Sequence, residues 1–118
     1  MTSKHYIIKN KKVLEVPLME WATWFESPEG MKERVIKQDR VGDLFVSTVF
    51  LGLDYAWDNR EPILFETMIF RDTPKSEYPH EDIYQNRYHT YDEALTAHEK
   101  LVEDIKNMIT SGDNYYGS

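Results

Sequence analysis

Two apolar runs of β-forming residues, 44–53 and 63–70, dominate the middle of the chain. Both are rich in Val, Ile, Phe and Thr, which fit a pleated, half-buried surface. In the first run Phe45 and Val49 share one parity, while Val46 takes the other. A strand that is apolar on both sides is covered on both sides. We therefore predict the centre of an antiparallel sheet, with helices on one face and a second layer or a second subunit on the other.

The composition limits what kind of protein this is. The 118 residues suffice for one domain with its own core. A net charge of −7 repels a phosphate backbone, so we expect no duplex nucleic acid as partner, while a basic partner or nucleic-acid mimicry stays open. The absence of cysteine excludes disulfides and thiolate metal ligands. The sequence contains neither a secretory signal nor the roughly 20 apolar residues of a membrane span, so we expect a cytoplasmic protein with no membrane partner.

Periodicity predicts the elements before the central runs. Short strands at residues 5–8 and 13–16 form a hairpin, and a helix at residues 18–26 ends in the segment 27–30. An alternating segment at residues 34–39 indicates a strand nearer the sheet edge.

The clearest helix signal lies near the end of the chain. Thr90 and Glu93 form a capping box. Apolar residues then recur at spacings of three and four as far as Ile109. The polar segment 71–86 before it contains two prolines and is predicted to be an exposed loop, followed by a short strand at residues 87–89.

Together these elements predict a single α+β domain over residues 1–118. We expect a mostly antiparallel sheet of about five strands, with the long C-terminal helix and the short helix at 18–26 packed on it. Because the central strands are apolar on both sides, we also predict a homodimer.

Several segments resemble a family of short proteins found in tailed bacteriophages and in prophage-bearing bacteria. They are Pro17-Leu18-Met19-Glu20-Trp21, Val41-Gly42-Asp43, residues 46–54, Leu64-Phe65-Glu66-Thr67-Met68, Arg87-Tyr88, and Glu93-Ala94 with His98. The run 46–54 is the most specific of them, and the loop 71–86 is longer than the family pattern. The resemblance implies a phage-encoded protein in the host cytoplasm, and it implies no mechanism.

Glu66 lies in the middle of a predicted strand. A carboxylate buried there is costly unless it is paired, and such residues are candidates for a functional site. The alternative is a structural ion pair on the solvated or subunit-facing side, with Arg34 or Arg40 as the partner.

His98 lies on the apolar stripe of the C-terminal helix. It is either a ligand or general base, or a core histidine held by a hydrogen bond. Zinc ligands are present in His80, His89, His98, Glu81 and Asp82, but their spacings match no compact metal motif, so we expect no metal and no cofactor.

A nucleophilic set can also be assembled from the sequence. Ser47 or Thr48 would act with His98 and Asp54, although no Gly-x-Ser-x-Gly elbow supports it. Cross-strand hydrogen bonds are the simpler role for Ser and Thr on a sheet.

Aromatic residues in a polar loop are the best candidates for an exposed binding site. Tyr55 and Trp57 lie among charged residues, and Arg60 follows them. They could anchor a protein partner, stack on a nucleotide-like ligand, or simply pack over the sheet edge. With Glu66 and His98 they form our predicted ligand-binding set, and none is assigned as catalytic.

Three functions therefore stay open. The first is a small non-enzymatic phage accessory protein that binds a host protein or a nucleotide-like signalling molecule, with a role against host defence. The second is a small enzyme that acts through Glu66, His98 and Asp54. The third is a virion or scaffold component.

Overall fold

The computed structural model describes residues 4–54, 61–71 and 81–110. The elements are β1 (His5–Lys9), β2 (Lys12–Val16), α1 (Leu18–Glu26), α2 (Pro28–Glu33), β3 (Val35–Val41), β4 (Leu44–Phe50), β5 (Phe65–Arg71), β6 (Glu81–Tyr88) and α3 (Tyr91–Thr110). The predicted α+β class is confirmed, and so are the hairpin, α1 and the long C-terminal helix.

The strands form two sheets, so the prediction of one sheet with about five strands is wrong. β3, β4, β5 and β6 pair antiparallel in that order, and β1 pairs with β2 alone in a hairpin. The hairpin meets the segment after β4, where His5 bridges Leu53 and the Tyr6 amide donates to the Gly52 carbonyl at 3.0 Å. A φ of +81° at Gly52 bends the chain at this point. The hairpin therefore joins the sheet at a bend rather than along an edge strand.

β6 corrects the prediction of a loop that continues to residue 86. Glu81–Tyr88 pairs with β5, with a register irregularity opposite Ile69 and Phe70. β6 is an edge of the sheet, and an edge strand tolerates polar side chains that a central strand does not. Its polar composition therefore resembled that of a loop.

α2 replaces the predicted end of the first helical segment. The hydroxyl of Ser27 accepts a hydrogen bond from the Gly30 amide at 2.9 Å, and Pro28 occupies the first turn. A serine N-cap and a proline in the first turn are both typical of the start of a helix. α1 thus ends at Glu26 as predicted, and a second helix begins at once.

α3 is capped as its sequence predicts. The Glu93 amide donates to the Thr90 hydroxyl, and the Thr90 amide donates to the Glu93 carboxylate, both at 3.1 Å. The helix then packs across β3, β4, β5 and β6. None of the helices in the described ranges has both the length and the apolar character that crossing a membrane requires.

Side-chain alternation gives the four-stranded sheet two faces. The helix face, which α3 covers, includes Val41, Leu44, Val46, Thr48, Phe50, Phe65, Thr67 and Ile69. The second face includes Gln38, Arg40, Phe45, Ser47, Val49, Glu66, Met68, Phe70, Gln85 and Arg87.

The core on the helix face consists of two apolar clusters. One lies under the hairpin and α1 and contains Tyr6, Ile7, Ile8, Trp24, Phe50, Leu64, Phe65 and Ala94. The other lies under α3 and contains Val41, Leu44, Val46, Ile69, Leu101, Val102 and Ile105. Thr48 and Thr67 occupy the strand positions between the two clusters, and His98 lies over them. A polar layer therefore separates two apolar ones.

Candidate functional site

The sheet separates the two predicted site residues that the structure describes. His98 lies on the helix face, where it contacts Thr48. Glu66 precedes Thr67 in β5 and so points to the second face. Glu66 and His98 therefore do not form one site. The enzyme hypothesis required these two residues to act together. Tyr55, Trp57 and Arg60 lie outside the described residues, so their role stays a prediction.

His98 is the centre of a buried hydrogen-bond chain. Its Nδ1 atom lies 2.7 Å from the hydroxyl of Thr48, and its Nε2 atom lies 2.7 Å from a carboxylate oxygen of Asp39. The Thr48 hydroxyl in turn bonds to that of Thr67. These hydrogen bonds thus link β3, β4 and β5 to one another through the His98 side chain of α3.

The direction of these hydrogen bonds follows from the groups at the two ends. An ionised carboxylate only accepts, so Asp39 accepts from the Nε2–H of His98. In the neutral imidazole Nδ1 is then an acceptor, and Thr48 donates to it. Thr67 donates to Thr48. Every polar atom of the imidazole is thus satisfied, as a buried ring requires.

Hydroxyl, imidazole and carboxylate in series are also the groups of a hydrolytic triad, but their exposure differs from that of a reactive set. Thr48, Thr67 and His98 are all 0% exposed, and only the Asp39 end reaches the surface. A nucleophilic hydroxyl has to contact its substrate. The buried hydroxyls of this chain cannot do so, and the arrangement instead fixes α3 on the sheet.

The predicted nucleophilic set of Ser47 or Thr48 with His98 and Asp54 does not come together in the structure. Ser47 lies on the second face, where it accepts a hydrogen bond from Gln38 at 3.0 Å. Asp54 accepts a hydrogen bond from the Ile63 amide at 3.0 Å, which joins the segment after β4 to the segment before β5. The partner of His98 is Asp39, which the sequence reasoning missed. Its position two residues before the end of β3 gave no local signal.

Tyr88 extends the polar layer to the edge strand β6. Burial raises the pKa of its phenol above the usual value of 10.0, and the neighbouring Tyr84 raises it further. Hydrogen bonds of the Tyr88 phenol with the side chains of Asn86 and Thr67 oppose this rise in pKa. The layer therefore crosses the whole width of the sheet, from Asp39 to Tyr88.

Glu66 forms an ion pair within the second face. One carboxylate oxygen accepts from Arg87 Nε at 2.8 Å and from the Gln85 side-chain amide at 2.6 Å. The prediction of Arg34 or Arg40 as its partner is wrong. Arg34 instead lies 3.6 Å above the ring of Phe25 and donates to its carbonyl oxygen. Glu66 is thus a paired structural carboxylate.

Metal ligands do not converge in the described part of the chain. No group of three or more His, Asp or Glu residues there could hold an ion. The Nδ1 atom of His89 forms a hydrogen bond with the Pro62 carbonyl oxygen at 2.9 Å. Both ring nitrogens of His98 are already hydrogen-bonded to Thr48 and Asp39. His80 lies outside the described residues.

A surface cleft between the hairpin and α1 is a site that the sequence reasoning missed. This hairpin cleft has a volume of about 510 Å³ and is lined by Ile7, Lys9, Met19, Glu20, Thr23, Trp24, Ser27 and Glu29. Met19 is 74% exposed, and Leu14, which pairs with Ile7 across the hairpin, is 47% exposed. The indole N–H of Trp24 is buried and has no partner among the described residues. The signal was available, because α1 is apolar over much of its circumference.

None of the protein-family models, curated protein sequences or solved structures compared with this chain matches it. The resemblance to phage proteins therefore stays a prediction.

Proposed function

We propose that this chain is a small phage-encoded accessory protein that acts in the host cytoplasm by binding a host protein, with the effect of blunting host defence. The observation that carries the binding role is the exposure of Met19 in the hairpin cleft and of Leu14, which is opposite the cleft residue Ile7 in the hairpin. The phage origin and the role against defence come from the sequence resemblance.

A non-enzymatic role fits the way the polar groups are used. The hydroxyl, imidazole and carboxylate groups of the His98 chain bond to one another inside the core. Glu66 is paired with Arg87 on the opposite face of the sheet. In the described residues, these titratable groups are thus engaged in holding the fold rather than directed at a common substrate.

The hairpin cleft fits a protein segment in size and in chemistry. Large apolar side chains that remain exposed mark interaction sites when they cluster, and methionine adapts to the shape of a partner. Leu18, next to Met19 in α1, is 55% exposed and enlarges the apolar surface. A volume of about 510 Å³ accommodates a few side chains of a partner.

The charge of the protein also indicates which charge its partner should carry. Glu20 and Glu29 line the cleft with Lys9, and the whole chain carries a net charge of −7. A segment with an aliphatic side chain for the cleft and basic residues around it is complementary to this surface. We expect the association to weaken as salt is added, because exposed charges are screened.

The test is a comparison of binding by surface variants. The tagged full chain captures proteins from a lysate of the bacterial host, and each captured protein is then purified and titrated. Met19→Asp is expected to weaken its affinity about tenfold or more, because it places a charge in an apolar contact. Met31→Asp is the matched control, since Met31 is also exposed, at 57%, but does not line the cleft.

Two results would overturn this proposal. One is that no purified protein binds with an affinity that depends on Met19. The other is that a nucleotide raises the melting temperature while no protein binds, which would favour the small-molecule alternative at Tyr55, Trp57 and Arg60.

A further inference from the structure

We infer that the second face of the sheet binds a second copy of this chain, so that two sheets pack face to face in a homodimer. The proposal uses a surface on the other side of the sheet from α3 and does not depend on the hairpin cleft.

The second face is apolar along its two central strands. Phe45 and Val49 of β4 lie beside Met68 and Phe70 of β5, and Phe45 is directly opposite Phe70 in the register. All four side chains are only partly buried. In the described residues, α3 packs on the helix face, and α1 reaches that same face through the contact of Trp24 with Phe50. Neither α3 nor α1 therefore covers this apolar strip in the part of the chain that the structure describes.

Most of the described polar side chains of the second face already have a partner within one chain. Glu66 is paired with Arg87 and Gln85, Gln38 donates to Ser47, and Arg40 lies 5.7 Å from the ring centre of Phe45. Covering the face therefore leaves no unpaired Glu66 carboxylate, and an unpaired charge is what makes burial costly.

The charge of the second face identifies a second copy as the occupant. Arg40 and Arg87 lie in this face with Glu66, and Asp82 is opposite Phe70 in the register, so the face is close to neutral, whereas the chain as a whole carries −7. The acidic groups that make two copies repel each other therefore lie elsewhere. Approach through this face keeps them apart, and the apolar strip of one copy meets the same strip of the other, as a two-fold interface requires.

The size of the face suits a dimer that dissociates on dilution. Four strands of seven or eight residues, about 4.8 Å apart, cover roughly 450 Å² per chain, or roughly 900 Å² for the pair. Stable complexes bury about 1,200–2,000 Å². We therefore expect the monomer and dimer to exchange, with the proportion set by concentration.

Light scattering over a concentration series tests the proposal. Between about 1 and about 300 µM the average mass is expected to rise from 14.1 kDa toward twice that value, by mass action. Met68→Lys is expected to hold the mass at the monomer value at all concentrations. Met31→Lys, which changes an exposed methionine of α2, is expected to leave the rise unchanged.

Methyl resonances of the unmodified protein provide a second readout that does not depend on a variant folding. With labelled methionine, the Met68 signal is expected to move with concentration, while those of Met19 and Met31 stay in place. A mass that remains at 14.1 kDa up to the highest concentration would overturn the proposal. So would a rise in mass in which Met19 moves and Met68 does not, because association would then use the hairpin cleft.

Discussion

The carboxylate of Asp39 lies 2.7 Å from Nε2 of His98, although the two residues are 59 positions apart in the chain. This contact connects an edge strand of the sheet to the middle of α3. It also fixes which nitrogen of the imidazole carries the proton, and through that nitrogen it orients the hydroxyl of Thr48. The polar layer between the two apolar clusters is organised around this pair.

Removal of the imidazole is expected to be strongly destabilising. His98→Ala leaves a cavity in a fully buried position and deprives both Thr48 and Asp39 of their partner. We expect a loss of about 3 kcal/mol in the free energy of unfolding, measured by urea denaturation. Asp39→Asn is the control, because its partly exposed side chain is expected to cost about 1 kcal/mol or less. Equal losses for the two variants would contradict a buried, satisfied His98.

The two threonines are expected to be energetically coupled. Thr48→Val breaks bonds to both His98 and Thr67 and is expected to cost about 2 kcal/mol, against about 1 kcal/mol for Thr67→Val. The double variant removes both members of the pair and leaves neither hydroxyl without the other. We therefore expect it to cost about 1 kcal/mol less than the sum of the single variants. Strict additivity in the urea midpoints would show that the hydroxyls do not interact.

Gly30 is expected to tolerate no side chain. A Cβ atom at this position would lie 1.8 Å from the Trp24 carbonyl oxygen, which is backbone and cannot move without displacing α1. Gly30→Ala is therefore expected to destabilise the fold by about 2 kcal/mol or more, even though alanine favours helices. Lys32→Ala, at an exposed position of the same helix, is expected to stay within about 0.5 kcal/mol of the wild type. A neutral Gly30→Ala in thermal unfolding would mean that α1 and α2 are not packed as described.

Stability is expected to fall at alkaline pH. The pKa of Tyr88 and that of Tyr6 are both raised above 10.0, chiefly by burial. A raised pKa in the folded state means that the folded chain retains its phenol proton when the unfolded chain has lost it. The resulting stabilisation is fully present below pH 10.0 and is lost as the pH rises through the folded-state pKa.

The tyrosine contribution can be isolated by comparison with Tyr88→Phe. Above pH 10.0 the stability of this variant is expected to fall less steeply than that of the wild type, since one raised pKa has been removed. Below that pH the two curves of unfolding free energy against pH are expected to run parallel. Curves that stay parallel above it would show that the Tyr88 phenol titrates alike in the folded and unfolded states.

The local elements of this protein follow from the sequence alone, and each has a local cause. The capping box of Thr90 and Glu93 starts α3, and the spacing of its apolar residues carries the helix to its end. The hairpin and the two central strands follow from their β-forming residues and from the turn between β1 and β2. These features depend on neighbours within a few positions, so the sequence reports them directly.

Only the tertiary structure decided how those elements combine and what the polar residues do. The separation of the hairpin from the sheet depends on a bend at Gly52, and the strand character of Glu81–Tyr88 depends on pairing with β5. Likewise, Asp39 reaches His98, and Glu66 reaches Arg87, only because distant strands and a helix are brought together. A carboxylate becomes structural or reactive through its partners and its exposure, and neither property is encoded by the residues next to it in the chain.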